Sequence, residues 1–244
     1  MSGDLASTWH HFLTQAAAPA SVPLLVTTAM ALVLVLWRPV WRVARYAVTI
    51  VHEGGHALVG VLCGRRLRGI RLHSDTSGLT VSRGRPTGLG VVLTYAAGYP
   101  APAVVGLVGS LVLAAGHAGV VLVGALVVLV ATLVLVRNAF GALVVVLAVV
   151  VLVGGVLVLP AGIGSALPTL LCLVLAFGGI RSSFEVARSR RHSHGTSDPD
   201  ALARLSHVPA VLWVGFFVLV GLAAGAGTVL ALGLPAALEA LLPS

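Results

Sequence analysis

Long apolar runs separated by short polar breaks make up most of the chain. A membrane-crossing helix needs about 20 predominantly apolar residues. Seven stretches approach or exceed that length: residues 21–37, 43–63, 88–116, 118–136, 139–159, 164–180 and 208–234. The pattern predicts an all-α polytopic membrane protein of about seven transmembrane helices. Two stretches depart from it. In GIRLHSDTSGLTVSRGRPTG, Ile70 and Leu72, then Leu79 and Val81, alternate with polar residues around SDTSG, which predicts a membrane-associated β-hairpin over 69–85. Residues 181–207, RSSFEVARSRRHSHGTSDPDALARLSH, form the one long polar segment and are expected as a loop or short amphipathic helix outside the bilayer core.

Composition narrows the class. Only 9% of the 244 residues are charged and 58% are hydrophobic, whereas a soluble domain carries about a quarter charged residues. One integral, multi-pass domain spanning 1–244 is expected. The start, MSGDLASTWHHFLTQ, lacks the basic n-region of a cleavable signal peptide, so none is expected. All fifteen basic residues are arginine and the formal charge is +8. They stand between apolar runs rather than on a basic face, which argues against nucleic acid and for contact with anionic lipid surfaces. With the polar loop cytoplasmic, Arg181, Arg188, Arg190, Arg191, Arg137 and the six arginines from Arg65 to Arg85 face inward, while Arg38, Arg42 and Arg45 are left on the far side. Trp9, Trp37, Trp41 and Trp213 fall near span ends, where aromatic belts form. Cys63 and Cys172 lie in or beside apolar runs and imply no disulfide framework.

One span carries chemistry. TIVHEGGHALVG, residues 49–60, places His52, Glu53 and His56 inside the second apolar run. A charged residue there costs roughly 2–3 kcal/mol or more, so such residues usually mark function. Four residues apart on a helix, His52 and His56 share a face and can point both imidazoles at one metal ion, with Glu53 beside them to act on a metal-bound water. A bare H-E-x-x-H match is common by chance; its place inside a span is what gives it weight.

A catalytic zinc site generally has three protein ligands. The chain has seven acidic residues. Setting aside the near-terminal Asp4 and Glu239, and Glu53 as the base, leaves Asp75, Glu185, Asp198 and Asp200. The last two stand in SDPDALARL, where the polar loop re-enters the membrane. There Ser197 or Asp198 also reads as a helix cap before Pro199, so one aspartate can cap while the other binds metal.

Together, HEGGHALVG, GIRLHSDTSGLTVSRGRP, AAGYPAPA, RNAFG and SDPDALARL resemble the intramembrane zinc metallopeptidases of the site-2 protease class, and within it a compact bacterial branch of the actinobacterial type. The resemblance runs from about Tyr46 to Trp213. It implies one Zn2+ held by His52, His56 and an aspartate of SDPD, Asp198 first and Asp200 second, with Glu53 as general base. It also implies a bacterial plasma-membrane protein acting on membrane protein or peptide substrates. The chain departs from better-studied members: the Asn-Pro…Leu-Asp-Gly element is missing, Asn138 is the only asparagine, and there is no room for a PDZ domain.

A transmembrane substrate hides its scissile bond in a helix. The hairpin offers an edge to which an unwound segment can add as a strand, with Leu79 and Val81 as candidate substrate contacts. Pro100 and Pro102 are expected to break their own helix near the site, Pro100 touching substrate. His73 and His207 are further candidates for substrate contact. The competing class is a metal transporter or a non-hydrolytic scaffold. A transporter should line a path with polar groups in several spans, whereas the spans other than the second are nearly free of them, which favours one enclosed site. An inactive scaffold should have lost Glu53, which this chain retains.

Overall fold

The computed structural model describes residues 21–158, 164–190 and 197–240. Trp9, His10, His11, Arg191, His192 and His194 lie outside them. The apolar run that opens the described chain forms α1 (Ser21–Leu36), and α2 (Arg38–Leu62) follows after a single residue. Trp37 is extended at φ −79° and ψ 111°, and Pro39 stands in the first turn of α2, where no N–H is required of it. The two axes meet at 98°.

The predicted hairpin is present as antiparallel β1 (Arg66–Leu72) and β2 (Gly78–Arg83), with a bulge between Leu67 and Gly69. The run over 88–116 is two helices, α3 (Leu89–Ala96) and α4 (Pro100–Ala114), bent by 65°. The break falls at Ala97–Tyr99, directly before Pro100, because a proline is tolerated in a first helical turn and not in a helix interior. Then come α5 (Ala118–Leu135), α6 (Ala139–Val158), α7 (Ala166–Ser189), α8 (Asp198–Ser206), α9 (Ala210–Ala231) and α10 (Leu234–Glu239).

Among the described residues, α5, α6, α7 and α9 are each long and apolar enough to cross a membrane, and six spans result if each bent pair counts as one. The expected seven treats 21–37 and 43–63 as separate crossings. The part of the polar segment just past Ile180 is not a loop: α7 runs on to Ser189, its extension carrying an i,i+4 ion pair between Arg181 and Glu185.

Helices α4, α7 and α9 pack against one another at the centre. Small residues set how closely they approach. A Cβ on Gly106 would lie 2.6 Å from the Cys172 carbonyl oxygen, and one on Gly179 would lie 2.8 Å from the Ala103 nitrogen. Most of α5 and α6 faces outward, in keeping with a lipid surround.

Two expectations from the sequence need correction. Arg45 Nη1 lies 3.5 Å from Glu185 Oε2, and Arg38 and Arg188 line one cavity. Arg38 and Arg45 therefore share a side with Arg181 and Arg188, because the sharp turn after α1 lays the start of α2 against the end of α7. Trp41 is no belt residue either. It is 3% exposed and donates its indole N–H to Glu185 Oε1 at 2.9 Å.

Candidate active site

The site is built on α2. His52 Nε2 and His56 Nε2 are 3.1 Å apart, and Asp198 Oδ2 lies 3.2 Å from the first and 3.1 Å from the second. These three residues form a group able to hold a metal ion. His56 Nδ1 is 2.7 Å from the Thr94 carbonyl oxygen. A carbonyl only accepts, so Nδ1 carries a proton, and in the neutral imidazole that leaves Nε2 with a lone pair. In that neutral form the Asp198 oxygen and the ring nitrogens face one another as donors of electron pairs, which a metal ion between them would satisfy. A triangle with sides near 3.1 Å leaves room for a point about 2.0–2.2 Å from every corner, the usual distance of zinc from nitrogen and oxygen ligands. The donor set fits the metal.

Asp198 is free for this because capping falls to its neighbours. Ser197 is the N-cap of α8 and forms a capping box with Asp200. Ser197 Oγ donates to Asp200 Oδ2 at 2.6 Å, while Arg190 donates Nε and Nη2 to Asp200 Oδ1 at 3.0 and 2.7 Å. Asp200 thus ties the end of α7 to the start of α8, and Asp198, one position into the helix, turns to the histidines.

The other carboxylates are engaged elsewhere. Asp75 accepts the Ser77 hydroxyl at 2.6 Å and the Ser77 N–H at 3.0 Å in the hairpin turn, which holds its carboxyl below the usual carboxylate range. Glu185 is held by Trp41, Arg181 and Arg45. Neither belongs to the cluster.

Glu53 is 3% exposed, and the Thr80 hydroxyl donates to its Oε2 at 2.6 Å. A cavity of about 480 Å³ brings Glu53, the two histidines and Asp198 together with residues 77–82 of the hairpin. Glycines make the approach possible. A Cβ on Gly78 would fall within 2.7 Å of the Glu53 carboxyl carbon, and one on Gly98 within 2.7 Å of His52 and closer still to His56. Gly55 needs its bareness because a Cβ would lie 2.9 Å from the Ala97 carbonyl oxygen, whereas Gly54 faces open space. Gly98→Ala should therefore displace the histidines and cut metal affinity at least tenfold, while Gly54→Ala should keep full metal content and gain up to about 1 kcal/mol of helix stability. Metal analysis with Tm for both variants checks this. Normal affinity in Gly98→Ala would show that the rings have room to move.

Among the described residues the hairpin leaves one edge unpaired, and the hydrogen bonds identify it. The Arg137 N–H donates to the Ile70 carbonyl at 2.9 Å. The Asn138 side chain copies a strand, donating to the Leu72 carbonyl at 2.7 Å and accepting the Leu72 N–H at 3.2 Å. The outer edge of β1 is covered. Because Ile70 and Leu72 aim their backbone groups away from β2, their cross-strand partners Thr80 and Gly78 aim theirs away from β1. The free edge is thus β2, and Thr80 and Gly78 present it beside Glu53.

This revises the role of Leu79 and Val81. Their side chains are 50% and 39% exposed and line the cavity, but their backbone groups point at β1. A proline at either would break the hairpin rather than its open edge. Pro100 does not line the cavity and Pro102 does, since two residues apart on a helix point to nearly opposite sides. His73 and His207 do not line it. Thr80, Thr94, Tyr99, Gly78 and Gly98 went unnoticed in the sequence. Alternation with Leu79 and Val81 does place Thr80 on the opposite face, and Tyr99, packed edge-on to His52 at 4.7 Å, stands in the AAGYPAPA stretch.

Two histidines and a carboxylate able to hold a metal ion, beside a buried glutamate and set among apolar helices, are compatible with a membrane metallopeptidase. The chain belongs to the Peptidase M50B-like family, whose model matches residues 25–228. No curated protein and no solved structure matches it.

Proposed function

We propose that this chain is an intramembrane zinc metalloendopeptidase of the bacterial plasma membrane, hydrolysing peptide bonds of membrane-embedded proteins or peptides. The observation that carries the reading is the meeting of three lone-pair donors, one buried glutamate and one unpaired strand edge in a single cavity. His52, His56 and Asp198 would hold the metal, with the Thr94 carbonyl accepting from Nδ1 of His56 and so favouring the tautomer that leaves Nε2 to the ion. Zinc, when bound, supplies a Lewis acid that acidifies water and polarises a carbonyl. Glu53 takes a proton from the attacking water and returns it to the leaving nitrogen, so that one water is consumed for each bond broken. Thr80 orients the Glu53 carboxylate through its hydroxyl.

The substrate adds to β2 as an extended strand, its backbone bonding to Thr80 and Gly78 and its side chains passing Leu79 and Val81. The break between α3 and α4 brings Tyr99 to the cavity, and an interrupted helix is tolerated at membrane depth only where protein or water satisfies the freed backbone groups.

The test uses purified protein in bilayer discs with a panel of single-span peptides. Cleavage should occur inside the span, stop on chelation and return with zinc. Thr80→Val removes only the hydroxyl on Glu53, whereas Thr80→Pro also removes the edge N–H without touching the hairpin's own bonds. Thr80→Pro should be slower than Thr80→Val by about five- to tenfold, the worth of one hydrogen bond. Equal rates in the two variants would remove strand addition, and chelator-resistant cleavage would remove the metal mechanism.

A further inference from the structure

A second cavity, about 750 Å³, opens where the end of α1 and the start of α2 meet the far half of α7. Its wall is apolar: Leu32, Leu36, Phe177, Ile180 and Phe184. Leu32, Leu36 and Phe184 are 41%, 67% and 41% exposed. Its rim is basic, carrying Arg38, Arg181 and Arg188 against a single acid, Glu185.

That acid is already neutralised. Arg181 Nε donates to Glu185 Oε1 at 2.9 Å, Arg45 approaches Oε2 at 3.5 Å, and the Trp41 indole donates to Oε1. Arg181 is also fixed in place, its guanidinium 4.7 Å from the centre of the Trp41 ring and bonded to the Val35 carbonyl. Arg38 and Arg188 are both exposed, and neither has a side-chain partner among the described residues. The cavity therefore keeps two free positive charges at the mouth of a greasy groove, at a level where α7 passes from apolar to polar sequence.

We propose that this cavity binds an anionic phospholipid of the surrounding bilayer, its phosphate held between Arg38 and Arg188 and its acyl chains laid along Leu32, Leu36 and Phe184. Guanidinium groups suit a phosphate because their N–H donors match its oxygens in pairs. An apolar ligand would leave both charges unused. A free anion would leave the apolar wall in water. A diacyl anionic lipid satisfies both halves, as basic pockets between membrane helices do elsewhere.

The site is separate from the metal cluster, so its test does not depend on peptide hydrolysis. Delipidated full-length protein is titrated with phosphatidylglycerol, phosphatidylcholine or glycerol 3-phosphate and followed by native mass spectrometry, with metal content measured alongside. Phosphatidylglycerol should bind well ahead of phosphatidylcholine, and glycerol 3-phosphate should not displace it. Arg38→Gln with Arg188→Gln should lose roughly thirtyfold in affinity for phosphatidylglycerol, as expected for two charges at an anionic surface. Arg38→Lys with Arg188→Lys should retain most of it, and metal content should be normal in both. Equal binding of the two lipids would overturn the site, as would an unchanged affinity in the double glutamine variant. Displacement by glycerol 3-phosphate would show a phosphate site that does not use the lipid chains.

Discussion

Glu53→Gln should abolish peptide hydrolysis while the protein keeps about one metal ion per chain. Glutamine has the size and shape of the glutamate it replaces, so the tight space under Gly78 is still filled and the Thr80 hydroxyl still finds an oxygen. The proton acceptor is what is lost. General bases contribute about a hundred- to ten-thousandfold, and cleavage in the peptide assay should fall by at least that much. The cluster of His52, His56 and Asp198 does not include Glu53, which is why metal content and rate should part company. Metal lost together with rate would mean that Glu53 holds the site's structure, and an undiminished rate would remove it from the chemistry.

What could be read in the sequence was whatever conflicts with its surroundings. Polar groups at His52, Glu53 and His56 stand out because an apolar span penalises them, and the paucity of carboxylates reduced the third ligand to a few candidates. The hairpin was visible because alternation has a period of two, and Pro100 announced a break because a ring without an N–H cannot sit inside a helix. Local patterns say nothing, however, of partners far along the chain. Trp41 and Glu185 are 144 residues apart, and neither shows in isolation that α2 begins against the end of α7. That contact is what moves Arg38 and Arg45 to the other side from the one their order in the sequence suggested.

Asn138 is a similar case. A lone amide in RNAFG gives no hint that it completes the edge of β1 by bonding both backbone groups of Leu72. The choice of Thr80 and Gly78 as the open edge follows from that pairing together with the bond from the Arg137 N–H to Ile70. The bend at Trp37–Arg38 was obscured for another reason: hydropathy averages over many residues, while a right-angle turn takes one extended residue and a proline in the next helical turn.

Asp198→Asn should cost roughly a hundredfold or more in zinc affinity, whereas Asp200→Asn should cost stability first. Loss of a residue that merely supports a ligand typically weakens metal binding 10- to 100-fold, so loss of a ligand's charge should reach at least the top of that range. Asp198 has no other described partner than the two histidines, and asparagine there gives up the negative oxygen that they face. Asp200 is different. Its carboxylate receives Arg190 and Ser197, and asparagine leaves the arginine with a weaker acceptor, at a cost of about 2 kcal/mol. It should lower Tm by several degrees and loosen zinc only through the drift of α8, by roughly tenfold. Zinc titration and thermal unfolding, run on both variants with and without metal, separate the two roles. Normal zinc in Asp198→Asn with loss in Asp200→Asn would move the ligand two residues along the helix. Normal zinc in both would place the third ligand outside SDPD altogether and leave the histidine pair with a different partner.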